Sequence, residues 1–262
     1  MIIDSHLHLD FDEFAEDRDA VMARAAAVGV EAYVTIGIRV RDSARVIAVA
    51  EAYDNVFCTV GTLPHLADEE HDVTADEIIA LTHHPKVVGI GEAGLDRVYG
   101  NAAWPAQTAV FAAHIEAAQR TQLPLVIHSV REDEAMAGML REAHAKAAFP
   151  FVVHAFSGGP LLAETTLALG GYFGFGGLLT YPGNDLQREI AAALPADRLL
   201  LETDSPSLAP APLQETRNEP ANIVLTAQLL AKLRGTDVGG LAAQCSANTR
   251  RLFPKAFAAR SA

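Results

Sequence analysis

The stretch Val87-Val88-Gly89-Ile90-Gly91-Glu92, an apolar run that ends in a carboxylate, carries the pattern that decides the fold. A short apolar run rich in β-branched residues is typical of a strand that is buried on both faces. Similar runs recur along the chain and alternate with longer segments of helical periodicity. The predicted strands are residues 1–9, 31–37, 56–61, 87–92, 123–129, 149–156, 171–176 and 199–204.

The segments between these strands predict helices, for example at residues 17–28, 106–120 and 133–145, and more helix is predicted after the last strand, over residues 220–252. Strands that alternate with helices favour a closed parallel (β/α)8 barrel of the TIM type, although periodicity alone also allows an open doubly wound sheet. The chain of 262 residues has no linker and no internal repeat. We therefore expect a single α/β domain over residues 1–262, built as a TIM barrel.

Composition and charge exclude several classes of protein. The formal net charge of −13 argues against a broad nucleic-acid-binding surface, so a polyanionic substrate must be held locally. The two cysteines, Cys58 and Cys245, lack metal-type spacing and are interpreted as core residues rather than a disulfide. The N-terminal stretch has neither a signal peptide nor a spanning segment, which predicts a cytoplasmic protein without a membrane partner. No exposed apolar stripe requires an obligate protein partner, so we expect a monomer.

Several predicted strands end in residue types that bind metals. In a barrel the C-terminal ends of the strands converge on one mouth, where active sites of this fold are built. His6 and His8 are two positions apart on a strand, so their imidazoles project to the same face. We expect a metal site formed by six residues: His6, His8, Glu92, His128, His154 and Asp204.

Each of these residues also has a simpler interpretation. Glu92 could form a buried salt bridge, and His128 or His154 could be an ordinary core histidine. Asp204 could cap the turn before a proline. One shared metal site explains why all six residues lie at strand ends, whereas the simpler interpretations require a separate explanation for each residue.

Short motifs along nearly the whole chain resemble, in the same order, those of the TatD family of metal-dependent deoxyribonucleases. The motifs are HLH at 6–8, GEAGLD at 91–96, IHS at 127–129, HAFSG at 154–158, ETDSP at 202–206, NEPAN at 218–222 and NTRRLF at 248–253. The resemblance implies an amidohydrolase-like TIM barrel, DNase activity, a role in DNA repair and a metal centre. Three positions depart from the family pattern without removing a metal ligand: Leu63, Ala155 and Ser207.

The resemblance further implies how the ligands are divided between two divalent ions. The residues of the first site are His6, His8, Glu92 and Asp204. The residues of the second site are Glu92, His128 and His154. Glu92 then bridges the two ions. Four histidines against two carboxylates favour zinc or manganese as the tightly bound ions, with magnesium possible for activity.

Two ions about 3.5 to 4 Å apart can activate a water and stabilise both oxygens of an in-line phosphodiester displacement. Glu92 and Asp204 are the candidate catalytic carboxylates, and Asp204 would orient or deprotonate the water. His65, in the loop after the third strand, is a candidate to contact the scissile phosphate or protonate the leaving group. A plain turn histidine is its alternative. The other histidines are interpreted as structural or solvated: His71, His83, His84, His114 and His144.

Loops that follow the strand ends supply candidate substrate contacts. Arginines there could form a local phosphate funnel, with solvated surface charges as the alternative. The arginines are Arg39, Arg41, Arg97, Arg131 and Arg217. The turn at residues 157–160, which begins with Ser157, could offer backbone N–H groups to a phosphate. Aromatic residues that could stack bases or simply pack are Tyr99, Trp104, Phe156 and Tyr181.

The leading functional hypothesis is a phosphodiesterase that acts on DNA, as a 3'-5' exonuclease on single strands. One alternative is a binuclear hydrolase of small esters, lactones, amides or phosphotriesters, which the acidic charge favours. Another is a catalytically inactive binding protein, which the complete ligand set argues against.

Overall fold

The computed structural model describes residues 1–99 and 102–258, and within them eight strands form one sheet in the order of the chain. Each neighbouring pair of strands is parallel. The strands are β1 (Ile2–Leu7), β2 (Val30–Thr35), β3 (Val56–Val60), β4 (Val87–Asp96), β5 (Leu125–Val130), β6 (Phe151–Val153), β7 (Tyr172–Phe175) and β8 (Leu199–Leu201).

The segment that follows β8 returns to β1 and closes the sheet. The backbone N–H of Asp204 donates to the carbonyl of His6 at 2.8 Å, and the N–H of His8 donates to the carbonyl of Ser205 at 2.8 Å. These bonds leave the first and last strands joined rather than exposed as edges. The TIM barrel expected from the sequence is therefore confirmed, and the open doubly wound sheet is not what forms.

In the part of the chain that the structure describes, seven helices connect successive strands of the barrel, and three more follow the last strand. They are α1 (Arg18–Ala27), α2 (Ser43–Ala52), α3 (Ala75–Thr82), α4 (Trp104–Thr121), α5 (Asp133–Lys146), α6 (Pro160–Ala168), α7 (Asp185–Ala193), α8 (Ile223–Arg234), α9 (Val238–Leu252) and α10 (Pro254–Phe257). Within the described residues, every helix is too short or too polar to span a membrane.

The helix predicted over residues 220–252 is confirmed, and the structure divides it into α8 and α9. Gly235 ends α8 in the left-handed conformation with φ of 63°, which glycine adopts without steric cost. The side chain of Asp237 then caps α9 by accepting from the backbone N–H of Gly240. The break between α8 and α9 was not predicted, because the apolar periodicity continues across it.

Strand β4 runs four residues beyond its predicted end at Glu92. Ala93 to Asp96 continue the parallel pairing with β5, from Ile127 to Val130. Gly94 allows this close pairing, because a Cβ atom there would lie 1.8 Å from the carbonyl oxygen of His128. The longer strand places Asp96 beside the site.

The barrel interior is apolar at its N-terminal end and polar at its C-terminal end. Val126, Val152 and Leu200 belong to one buried cluster. Two positions further along the chain, on the same face, lie polar residues: His128, His154 and Glu202. Leu252 and Phe253 close this cluster from below. A larger cluster fills the layer between the strands and the helices. The interior cluster thus forms the floor on which the polar mouth rests.

Candidate metal centre

A cavity of about 650 Å³ opens at the C-terminal ends of the strands. Five of the six predicted ligands line it, and the sixth, His6, lies buried directly beneath them. The five are His8, Glu92, His128, His154 and Asp204. The structure therefore gathers all six side chains into one place, although they come from β1, β4, β5 and the segments that follow β1, β6 and β8.

Glu92 lies at the middle of this group and its two carboxylate oxygens face different histidines. Oε2 lies 3.4 Å from Nε2 of His6 and 3.8 Å from Nε2 of His8. Oε1 lies 2.9 Å from Nδ1 of His128 and 3.0 Å from Nε2 of His154. Burial alone would raise the pKa of the Glu92 carboxyl, but the surrounding imidazoles hold that pKa well below its ordinary value. Glu92 therefore remains ionised between two pairs of histidines.

Asp204 completes the side of the group formed by β1. Its Oδ1 lies 3.4 Å from Nε2 of His6 and 3.3 Å from Nε2 of His8. The backbone of Asp204 is left-handed, with φ of 57°, a conformation that costs a non-glycine residue about 1 to 2 kcal/mol. Such a cost at a buried aspartate is typical of a functional position, because the surrounding structure must enforce it.

The buried atoms of the group fit a bound cation. Among the described residues, both ring nitrogens of His6 and Nδ1 of His154 are buried without a hydrogen-bond partner. Two neighbouring carboxyls, Asp4 and Glu202, have pKa values that burial raises to about 7 and about 8. The group therefore combines imidazole nitrogens that have no hydrogen-bond partner with buried carboxyl groups that lack a positively charged partner. A divalent transition ion would satisfy such a set of donor atoms.

Two of the histidines are also held by acceptors on the side away from Glu92. Nδ1 of His8 donates to the carbonyl of Ile36 at 3.2 Å. Nε2 of His128 lies 2.8 Å from Oδ2 of Asp96, which also accepts from Nε2 of His65 at 2.9 Å. Outer acceptors of this kind fix the tautomer and the orientation of a ligating histidine.

Sequence reasoning named neither Asp96 nor Glu202 as a site residue, although both lie in the quoted motifs. The spacing of two positions between Glu202 and Asp204 could have identified Glu202, because residues two apart on a strand lie on the same face of the sheet. The same spacing relates His6 to His8. Asp96 gave no such signal, because its approach to His65 and His128 depends on the extension of β4.

The predicted substrate contacts divide into two groups. His65, Arg131 and Ser157 line the cavity. Arg97 and Arg217 are not part of its lining. Arg97 instead pairs with Glu132 at 2.9 Å and stacks on Trp104, with 3.9 Å between the guanidinium carbon and the ring centre.

The remaining arginines are engaged in ion pairs rather than forming a funnel around the cavity. Arg217 donates to Asp17 and to Glu219, and Arg39 pairs with Glu69. Arg41 pairs with an aspartate in the same way. The funnel expected from the sequence is therefore reduced to Arg131, because acidic partners from distant segments neutralise the other guanidinium groups.

The structure also differs from the sequence prediction at the phosphate-binding turn of residues 157–160 and at the aromatic residues proposed to stack bases. The N–H of Gly159 already donates to Oδ2 of Asp133 at 2.6 Å, so a carboxylate of the protein occupies this position. Of the four aromatic candidates, only Tyr99 lines the cavity. Phe156 is buried against Phe173, and the hydroxyl of Tyr181 donates to the carbonyl of Ala209.

Comparison with known proteins agrees with this geometry. Residues 3–254 match the family described as TatD-related DNase. The chain belongs to this family. Membership makes it a metal-dependent hydrolase that acts on ester bonds, as the motif resemblance implied.

Individual relatives cover nearly the whole chain. The uncharacterised metal-dependent hydrolase YabD of Bacillus subtilis is 32% identical over 253 residues, which are 97% of this chain and 99% of YabD. The 3'-5' ssDNA/RNA exonuclease TatD of Escherichia coli K12 is 33% identical and covers 98% of this chain and 100% of its own. The crystal structure of YjjV, a TatD homologue from Escherichia coli K12, superposes with a TM-score of 0.89 at 33% identity, covering 97% of this chain and 98% of YjjV.

Proposed function

We propose that this protein is a two-ion nuclease that removes nucleotides from the 3' end of single-stranded DNA. The observation that carries the proposal is the position of the Glu92 carboxylate, whose two oxygens each face a different pair of histidines. A carboxylate so placed suits a bridge between two ions. Relatives named as 3'-5' ssDNA/RNA exonucleases support the choice of substrate and direction. A monomeric, cytoplasmic enzyme of DNA repair is the setting we expect.

The proposed ligands follow from the two groups around Glu92. His6 and His8 would hold the first ion together with Asp204, and His128 and His154 would hold the second. When bound, two divalent ions would activate a water, neutralise the phosphodiester and stabilise the leaving oxygen. The predominance of imidazole nitrogen over carboxylate oxygen favours zinc or manganese as the resident ion, and magnesium could support activity at higher concentration.

Two side chains are proposed to act directly on the reacting groups. The Asp204 carboxylate lies at the open side of the group and would orient the attacking water and accept its proton. His65 is held through Nε2 by Asp96, so Nδ1 is the nitrogen left to meet the scissile phosphate or the leaving oxygen. Arg131 lines the cavity and has no ion-pair partner among the described residues, so it is the guanidinium available to a substrate phosphate.

The experiment is digestion of defined oligonucleotides by the full chain after removal of metal and titration with zinc, manganese or magnesium. A 5'-labelled single strand should shorten progressively, whereas a strand with non-hydrolysable linkages at its 3' end should persist. Asp204→Asn should lose at least about 100-fold in turnover, because a general base contributes about 10² to 10⁴. Near-full turnover by Asp204→Asn with the metal retained would exclude the proposed base.

A second candidate is a hydrolase of small neutral esters, lactones, amides or phosphotriesters. One observation favours it: Arg131 is the single member of the expected arginine funnel that lines the cavity, while leucine and isoleucine side chains line part of the wall. Turnover of such esters without salt-sensitive DNA cleavage would favour this candidate over the nuclease, because phosphate recognition weakens as salt rises.

A further inference from the structure

Each of the four histidines in the centre has one nitrogen near Glu92 or Asp204 and a second nitrogen that faces away. For His8 and His128 the second nitrogen has a partner, the carbonyl of Ile36 and the carboxylate of Asp96 respectively. For His6 and His154 the second nitrogen, Nδ1 in both, is buried and has no hydrogen-bond partner among the described residues. A buried N–H group without an acceptor is costly, so these two positions require an explanation.

Glu202 is the carboxylate that lies close to the rings of both His6 and His154. Its Oε1 is 3.9 Å from Nδ1 of His154. One nitrogen of His6, one of His154 and one oxygen of Glu202 lie within 4.8 Å of one another. The rings of His6 and His154 stack with 3.8 Å between their centres and 8° between their planes, so their Nδ1 sides can face one shared acceptor.

The surrounding backbone holds Glu202 in this position. The N–H of Ala155, which directly follows His154, donates to Oε1 at 2.5 Å. On the opposite side the carboxylate lies against Gly174, where a Cβ atom would be 2.1 Å from Oε2. Any larger residue at position 174 would therefore displace the carboxylate. Glu202 is almost completely buried, so water does not compete freely for its oxygens.

We propose that Glu202 is a positioning residue that accepts the Nδ1 protons of both His6 and His154, and so leaves both Nε2 atoms free to bind metal. The 3.9 Å separation from His154 is bridged by one water or by a closure of about 1 Å to hydrogen-bond distance. Because His6 belongs to one ligand group and His154 to the other, Glu202 supports both halves of the centre. This inference rests on the proposed two-ion function.

The test is a comparison of Glu202→Gln with Glu70→Gln by direct metal binding. Glutamine at position 202 can still accept from Ala155 but offers N–H donors where imidazole N–H groups need an acceptor. Glu70 is an equally buried glutamate whose carboxylate accepts from the N–H groups of Val40 and Arg41, away from the histidines. We expect Glu202→Gln to weaken both ions by about 10- to 100-fold in chelator competition, the range found for outer partners of metal ligands. Glu70→Gln should lose stability but keep wild-type metal affinity.

A second readout separates positioning from general damage. In metal-loaded wild-type protein, the Nδ1 protons of His6 and His154 should give slowly exchanging imidazole N–H resonances that disappear in Glu202→Gln. The metal-free variant should melt no lower than metal-free wild type, because the glutamine has the same size and keeps the acceptor for the N–H of Ala155. Unchanged affinity and unchanged resonances in Glu202→Gln would overturn this inference alone. Failure of wild type to bind two ions would instead overturn the proposed function.

Discussion

The two ends of the barrel interior are built from the same strands, but one end is lined by apolar side chains and the other by polar side chains. At the N-terminal end, Val126 and Val152 pack with Phe253, which is completely buried. At the C-terminal end, two residues further along the same strands, the interior holds His128 and His154. The first end buries apolar surface and stabilises the fold, whereas the second buries polar groups at a cost that protein partners offset only in part.

Positive φ values at non-glycine residues are more frequent at the mouth than at the opposite end, where Gln122 is the one example among the described residues. Arg131, Ala155 and Asp204 follow β5, β6 and β8 at the mouth, and all three have positive φ values, of 54°, 42° and 57°. Each left-handed residue costs about 1 to 2 kcal/mol. The mouth therefore concentrates conformational cost where the chemistry is expected, and the packed floor supplies the stability that permits it.

The largest effect should follow from Glu92→Gln at the mouth. The change removes the charge shared by four imidazoles, so the variant should fail to retain divalent metal and turnover should fall by at least about 10⁴-fold, about 5 kcal/mol in activation free energy. Elemental analysis and nuclease assays measure both. Glu132→Gln is the control, because Glu132 pairs with Arg97 outside the histidine group. Full metal content in Glu92→Gln would contradict the role of Glu92 as a metal ligand at the C-terminal end of the barrel.

Phe253→Ala tests the floor. Truncation of a fully buried phenylalanine should lower the free energy of unfolding by about 3 to 5 kcal/mol, because it leaves a cavity beneath the barrel. Denaturant unfolding of the metal-free protein measures this loss, with the less buried Phe257→Ala expected to lose less. Metal content per folded molecule should stay at the wild-type value. A loss below 1 kcal/mol would show that the floor tolerates the cavity.

A buried histidine outside the mouth provides a pH test of the same contrast. His114 in α4 donates through Nδ1 to the carbonyl of Val110 and accepts at Nε2 from the N–H of Thr62, so both nitrogens are satisfied. Burial lowers the pKa of His114 to about 4, below its ordinary value of 6.5. The unfolded chain therefore binds the proton first as pH falls.

His114 should accordingly lower the stability of the metal-free protein by up to about 3 kcal/mol as pH falls from 6.5 to 4. His114→Gln should flatten this part of the profile, whereas His83→Gln, in an exposed position, should leave it unchanged. Denaturant midpoints measured at several pH values provide the test. An identical slope in wild type and His114→Gln would refute the assignment.

The smallest of the four effects is expected from Asp96→Asn. Its carboxylate orients His128 from outside the centre, and outer partners of this kind contribute about 10- to 100-fold in metal affinity. The asparagine keeps the size of the side chain but loses one acceptor oxygen and its charge. Chelator competition against wild type measures the change, with Asp76→Asn on the exposed surface as the control. Wild-type affinity would mean that Asp96 serves His65 alone.

Much of the barrel and of the ligand group could be predicted from sequence because both depend on local pattern. Apolar runs identify strands, and the polar residue at the end of each run marks the mouth. Alternation along a strand placed His6 beside His8, and the same rule applied to Asp204 would have identified Glu202.

The errors arise where distant segments decide the outcome. Arg217 is withdrawn from the mouth by Asp17, and Arg97 is paired with Glu132, contacts that no local pattern encodes. The extension of β4 depends on continued pairing with β5. Charge partners and strand lengths of this kind are properties of tertiary structure.

The hydrogen bond from Asp204 to His6 has a consequence for biosynthesis. The two residues lie 198 positions apart, and their contact closes the sheet. During translation His6 leaves the ribosome early, but it has no opposite wall until β8 has been synthesised and docked. The first ion site, which uses Asp204, therefore stays incomplete for most of elongation and can form only after β8 and the segment that follows it have been synthesised.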